Sequence, residues 1–247
     1  MNKDFDLTVE CCLLAGKLMM ESGAETYRAE DTMDRMALSQ NLTESHSFVT
    51  PTGIIFSGDN EVPSRLVRVN SRTTDLEKIA LVNAVSRKLS SKEIDIQGAY
   101  KELKKIELEH KMYPFWIQII GASIASGAFL WLFGTDLIDV PHAMVAGGVG
   151  YAVSTLLEEK TRVKFFAEFF AALVISVIAT LSVTYGYGVQ IDHIIIGSVM
   201  PLVPGLLITN AVRDLMAGHF VSGLSKGAEA FLTAFAIGAG VALILSI

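Results

Sequence analysis

The stretch FFAEFFAALVISVIATLSVTY, residues 165–185, carries a single charge, Glu168. A helix needs about 20 mostly apolar residues to cross the hydrocarbon core of a bilayer, whereas barrel strands alternate polar and apolar residues over about 10. This stretch therefore reads as a spanning helix. Working outward, four more apolar stretches lie near 115–133, 141–157, 191–208 and 227–247. Five such stretches would overfill the core of any soluble chain of 247 residues. The C-terminal half, 114–247, reads as a transmembrane domain of five helices.

The basic residues of that half give its orientation. Lys160, Arg162 and Lys164 lie between the second and third stretches, and Arg213 and Lys226 between the fourth and fifth; the connections 134–140 and 186–190 hold none. Cytoplasmic connections concentrate Lys and Arg. The expectation is a cytoplasmic N-terminus, five crossings of the cell membrane, and Ile247 outside.

Charge is concentrated upstream. Residues 1–113 hold 15 Lys/Arg and 18 Asp/Glu, against 5 and 8 in 114–247. A stretch of that length supports an independent core, and its charge balance gives no footprint for nucleic acid. The N-terminus, MNKDFDLTVE, is acidic and lacks the apolar run of a signal peptide. Cys11 and Cys12 read as small apolar residues rather than a disulfide or metal framework. No phosphate-binding loop, nucleophile elbow or dinucleotide fingerprint occurs. The sequence thus calls for no cofactor, no metal and no enzyme activity.

The N-terminal part reads as a small α+β domain. Leu7, Cys11, Leu14 and Leu18 fall on one helix face over Asp6–Glu21, which Ser22-Gly23 ends. A second helix follows from Ala24 to about Gln40, with Asn41–Ser45 as a turn. Ser47–Ser57 reads as one strand kinked at Pro51-Thr52-Gly53. A turn at Gly58-Asp59-Asn60 leads to a second strand at 65–70. Thr73-Thr74-Asp75 supplies an N-cap, with Glu77 placed for a capping box, for a helix with Ile79, Val82, Val85 and Leu89 on its apolar side. A last amphipathic helix runs from about Ser91 to Lys111, with Pro114 at the joint to the first span. In the spans, Gly147, Gly148, Gly150 and Ser154, and the stripe Ala230, Ala234, Gly238, Ala242, let helix backbones approach closely.

Three motifs stand out. In Met200-Pro-Leu-Val-Pro-Gly-Leu-Leu-Ile-Thr-Asn-Ala-Val-Arg-Asp-Leu215, two prolines interrupt the fourth stretch. A new helix N-terminus near Pro204-Gly205 would present free amides and a positive dipole end, the device transporters use for carboxylates; the plainer alternative is a proline kink without a ligand, which membrane helices tolerate. Thr209, Asn210 and Arg213 are its neighbours. The second motif is Gly23-Ala-Glu-Thr-Tyr-Arg-Ala-Glu-Asp-Thr-Met33. Glu25, Arg28 and Asp31 share a helix side there, while Glu30 and Asp34 are placed to meet a cation jointly; a solvated face of ion pairs is the plainer reading. The third is Thr50-Pro51-Thr52-Gly53, which either lines a site or shapes a hairpin. Glu168 and Glu229 lie in the first turns of spans. Asp136, Asp139, Asp192 and His193 are expected to be solvated at the outer face.

These motifs make the chain resemble the threonine/serine exporter family. The resemblance rests on Ser22–Met33, Pro51–Ile55 and the 201–227 region with Pro204-Gly205, Asn210, Asp214, Gly218 and Gly223, and it covers nearly the whole chain. Single-chain members are twice as long, with twice the spans. The resemblance therefore implies a split form whose partner is a second, smaller membrane subunit. It implies a secondary transporter driven by the proton gradient, for threonine and serine or, in some split pairs, succinate and similar dicarboxylates. Asp214, Glu168 and Glu229 are the candidates for proton coupling. The rival readings are a membrane-anchored hydrolase using Glu25, Glu30 or Asp31 with Thr50 or Thr52, and a non-transporting sensor.

Overall fold

The structure, a computed structural model, describes residues 3–58, 64–70, 72–109, 113–134, 136–161 and 163–246. Asp59 and Asn60 of the expected turn, Lys111, Arg162 and Ile247 lie outside them, as does the side chain of Lys164. The described residues form ten α-helices and one three-stranded sheet, arranged in two compact units. The first unit comprises Met1–Lys111 together with Leu206–Gly227, and the second Met112–Gly205 together with Ala228–Ile247.

The first unit contains α1 (Lys3–Glu21), α2 (Thr26–Ser39), β1 (His46–Thr50), β2 (Gly53–Ser57), β3 (Arg65–Arg68), α3 (Leu76–Ser90) and α4 (Ile96–Leu108). It also takes in the segment from α9 (Gly205–Met216) to the first turns of α10 (Phe220–Leu245). The predicted apolar faces form its core: Cys11, Leu14 and Leu18 meet Met33, Ile54, Val82, Val85 and Leu89. Burial pushes the thiols of Cys11 and Cys12 up, so both stay protonated and act as small apolar groups. Gly23 ends α1 at φ +83, a conformation that a side chain resists. Asp75 caps α3 by accepting from the Lys78 amide at 2.9 Å.

One element differs from its sequence reading. Residues 47–57 are two strands rather than one kinked strand. β1 and β2 pair antiparallel with Thr50 opposite Gly53, and β3 continues the meander in the order β1-β2-β3. Pro51-Thr52 is the two-residue hairpin turn. The Thr50 hydroxyl closes it, accepting from the Gly53 amide at 3.1 Å and donating to the Gly53 carbonyl at 2.8 Å. The usual signature of so tight a turn is a pair such as Asn-Gly, and this side-chain closure replaces it.

The second unit contains α5 (Phe115–Leu132), α6 (Val140–Thr161), α7 (Lys164–Thr184), α8 (Ile191–Val199), a 3₁₀ turn (Met200–Leu202) and the rest of α10. Four helices are long and apolar enough to cross a membrane, and a fifth crossing arises if α8 and α9 form one broken span. The protein is thus a membrane α-helical bundle with a preceding small α+β part. At most 39% of any span's apolar window is buried, so apolar faces such as Ile120, Ile124, Phe231 and Phe235 are left outward, as lipid requires. Trp116 and Trp131 sit exposed at the two ends of α5, where aromatic belts form.

Close packing uses part of the predicted small-residue set. A Cβ at Gly147 would overlap the Ser126 hydroxyl, and one at Gly150 the Ile175 side chain. On α10 the buried face runs through Ala230, Thr233, Ile237 and Gly240, while Ala234, Gly238 and Ala242 are exposed. The expected every-fourth stripe is therefore not the packed one: 3.6 residues per turn rotate it off the contact. Asp139 is also not solvated. It is wholly buried, and its carboxylate accepts from the amides of Val189 and Gln190 at 2.7 and 3.1 Å, pinning the α7–α8 connection.

Candidate functional site

The fourth apolar stretch is broken where the two prolines predict. Helical hydrogen bonding stops at Val199, passes through the 3₁₀ turn and restarts at Gly205. Pro201 and Pro204 supply no amide, and helix α9 opens with amides that have no acceptor within the helix. Gly205 and Leu206 are exposed.

From that start, α9 carries Thr209, Asn210, Arg213 and Asp214 one turn apart, and the first unit brings them to the start of α2. The match is residue by residue. The Asn210 side-chain amide donates to the Gly23 carbonyl at 2.9 Å, and the Lys226 ammonium donates to the Ala24 carbonyl at 3.0 Å. The Arg213 guanidinium holds a Glu25 carboxylate oxygen at 2.6 Å. Asp214 accepts from both the Thr26 amide and the Thr26 hydroxyl at 2.9 Å. Glu25, the N-cap residue of α2, makes no side-chain cap hydrogen bond. The cap that helix starts need is supplied by Asp214 from 188 residues away. Lys226 closes the arrangement with an ion pair to Asp214 at 2.8 Å, both side chains essentially inaccessible.

The same segment reaches the hairpin. The Ser222 hydroxyl donates to the Val49 carbonyl at 3.4 Å, and the Val49 amide donates to Glu30 at 3.0 Å. His219 lies 3.6 Å from the other oxygen of Glu30, paired when its ring is protonated. Two glycines make this corner feasible. Gly218 turns the chain at φ +87, and Gly223 lies where a Cβ would meet the Ala211 carbonyl oxygen at 3.0 Å. The 22–33 motif and residues 206–227, distant in sequence, thus meet in one place, with Val49 of β1 beside them.

A pocket of about 510 Å³ opens beside it, lined by Glu25, Arg28, Thr209, Asn210 and Arg213 among others, with Leu76, Ile79 and Leu206 as apolar wall. The Glu25 carboxylate is nearly buried and divided between two guanidiniums, Arg213 on one oxygen and Arg28 at 3.3 Å on the other. One carboxylate against two guanidiniums leaves one positive charge in surplus. Those guanidiniums remain largely exposed, with further N–H groups to offer an anion.

The predicted site residues divide as follows. Thr209, Asn210, Arg213, Glu25 and Arg28 come together in the pocket wall. Thr209 donates its hydroxyl to the Leu206 carbonyl. Asp31 pairs with Arg35 at 2.6 Å on the exposed side of α2. Glu30 holds the Val49 amide, and Asp34 accepts from the Ser47 hydroxyl at 2.9 Å. No group of acidic, His or Cys side chains suited to a metal occurs among the described residues. Pro51 is buried, and Thr52 and Gly53 belong to the hairpin turn. Glu168 is buried on α7 and Glu229 half-buried on α10, both in the second unit. Lys226, Thr26 and His219 were not among the expected site residues. Their one signal was a lysine beside a strongly apolar helix, and it reads equally well as a loop charge.

The ionisation of this corner follows from its contacts. Burial pushes the Glu25 carboxyl up, but its own backbone amide, Arg213 and Arg28 outweigh this and leave it below its ordinary 4.5. A depressed carboxyl stabilises the fold above that value and loses the contribution as pH falls through the folded value. Burial raises Glu30 and Asp34, partly offset by the Val49 amide and the Ser47 hydroxyl respectively. Their effect has the opposite sign, favouring the fold at low pH and fading as pH rises through their folded values. Replacement Glu25→Gln is therefore expected to lower the melting temperature of the detergent-solubilised protein at neutral pH and to shrink the difference from wild type below about pH 4. Melting curves across pH check this; a difference independent of pH would contradict it.

An Escherichia coli protein, "Probable succinate transporter subunit YjjP", is 22% identical over 241 residues, covering 96% of this chain and 93% of its own length. A Corynebacterium glutamicum "Threonine/serine exporter" is 22% identical over 92% of this chain, which spans only 48% of that longer protein. "Pheromone-regulated membrane protein 10" of Kluyveromyces lactis is 24% identical over 92% of this chain and 24% of its own length. No solved structure matches the chain. The family described as "Putative threonine/serine exporter" matches residues 10–247, and the chain belongs to that family of membrane transport proteins.

Proposed function

We propose that the protein is a subunit of a secondary transporter in the cell membrane that exports small carboxylate metabolites, threonine and serine. The observation that carries this reading is the pocket of Arg213, Arg28, Glu25, Thr209 and Asn210, beside a helix that restarts at Pro204-Gly205. Its surplus positive charge and the helix dipole both favour a carboxylate. In this reading residues 1–113 face the cytoplasm, the C-terminus lies outside, and α8 and α9 form one interrupted crossing. A second, smaller membrane subunit completes the pathway. Asp214, Glu168 and Glu229 are the groups available for proton coupling.

A second reading, export of succinate or a similar dicarboxylate, is favoured by the same surplus charge, which suits a dianion better than a net-neutral amino acid. The name of the E. coli relative supports it. Counterflow of labelled serine, threonine and succinate in vesicles containing the chain with its partner distinguishes the two. Replacement Arg213→Ala is expected to raise KM for the transported species by about tenfold, one charge-assisted hydrogen bond's worth, with membrane insertion intact. An unchanged KM would remove the pocket from the pathway.

A further inference from the structure

Lys226 is the one buried cation of the 206–227 segment, and the transport reading gives it no role. Its ammonium is 2.8 Å from Asp214 and 3.0 Å from the Ala24 carbonyl. Asp214 in turn holds the Thr26 amide and hydroxyl. Lys226 therefore fixes the residues on both sides of Glu25, the carboxylate from which Arg28 and Arg213 hang. We infer that Lys226 is a positioning residue of the carboxylate pocket: by its bonds to Asp214 and to the Ala24 carbonyl it sets, through Ala24 and Thr26, the place of Glu25 and its two guanidiniums.

The described hydrogen bonds of Lys226 go to Asp214 and the Ala24 carbonyl, not to a pocket-lining side chain, so its influence runs through the backbone at 24–26. There the Gly23 carbonyl is held by Asn210, the Ala24 carbonyl by Lys226 and the Thr26 amide by Asp214, while the Ala24 amide bonds to the Met19 carbonyl. Asp214, moreover, has no access to water, and a buried charge left without its counter-charge is costly to hold in place. The other groups bearing on Asp214 are few. Glu30 of α2 is felt electrostatically, with His219 beside it from the α9–α10 corner, and Arg213 of α9 is already engaged by Glu25. None replaces Lys226 as a direct ionic partner.

This inference rests on the pocket being the transport site, and the test separates the two. Uptake of labelled serine and succinate is measured in inverted membrane vesicles carrying the full chain and its partner subunit. The variants are Lys226→Met, Lys226→Arg, the double Asp214→Asn/Lys226→Met, and Arg213→Ala. Lys226→Met is expected to raise KM about tenfold while kcat stays near the wild-type value. Lys226→Arg, which keeps the cation, retains the wild-type KM. The double variant has the raised KM as well. If Lys226→Met fails to reach the membrane, the double variant decides, since losing both charges is tolerated better than losing one. A wild-type KM in Lys226→Met, or in the double variant, overturns the inference provided that Arg213→Ala has raised KM. If Arg213→Ala has not, it is the pocket reading that fails.

Discussion

Replacing Asp214 by Ala is expected to destabilise the first unit by about 3–5 kcal/mol, the loss seen when one partner of a buried ion pair is removed. The Lys226 ammonium, whose side chain is 4% accessible, would then be left with the Ala24 carbonyl as its remaining hydrogen-bond partner. The start of α2 would lose its cap as well, which alone is worth about 1 kcal/mol. The pair is not the source of the stability, because two desolvated charges roughly cancel their own attraction. The double variant Asp214→Ala/Lys226→Met should accordingly recover most of the loss. Melting of the purified protein in detergent, run as a double-mutant cycle, measures the coupling. Equal, additive losses in the two single variants would show that the ammonium and carboxylate do not depend on each other.

The second large effect lies in the bundle. A Cβ at Gly240 would overlap the backbone carbonyl oxygen of Phe169 and lie 3.1 Å from the Ala172 Cβ. A backbone atom cannot rotate out of the way, so Gly240→Val must push α10 off α7. Overpacking of this kind costs about 1–3 kcal/mol in a well-packed core, and an interface held by close backbone approach has little else to compensate. The control sits two residues away on the same helix. A Cβ at Gly238 meets nothing within 4 Å, and Gly238→Val should melt as the wild type does. Matching losses in the two variants would mean that α10 responds to β-branching itself rather than to the contact with α7.

Much of this protein is readable without coordinates, for identifiable reasons. The helices of the first unit announce themselves through faces such as Ile79, Val82, Val85 and Leu89 and through the Asp75 cap, all local signals. The interruption at Met200–Pro204 is equally local, because proline's missing amide acts wherever it stands. What failed depended on distance. The start of α10 lies at Phe220, seven residues before the apolar stretch was taken to begin, because Lys226 looked like a loop charge. It sits inside the helix, neutralised by a carboxylate on another one. The pairings of Asn210 with Gly23 and Asp214 with Thr26 link positions 187 and 188 apart, and no spacing rule connects them. The hairpin at Pro51-Thr52 stayed one of two readings for a smaller reason, since a threonine hydroxyl closes a turn that glycine and asparagine usually make.

The long-distance cap on α2 also dictates an order of events during synthesis. Residues 23–26 leave the ribosome well before α9 and the first turns of α10 exist, and until then the Gly23 and Ala24 carbonyls and the Thr26 amide lack their partners from that segment. A nascent chain halted anywhere before residue 206 therefore carries a loosened helix start and an unfinished layer. Chains fold largely in the order they emerge, so maturation of the amino-terminal portion waits on completion of nearly the entire polypeptide. Truncated products would display that unfinished surface to the cell's proteases, and a fragment ending at residue 111 is a poor stand-in for the unit it is cut from.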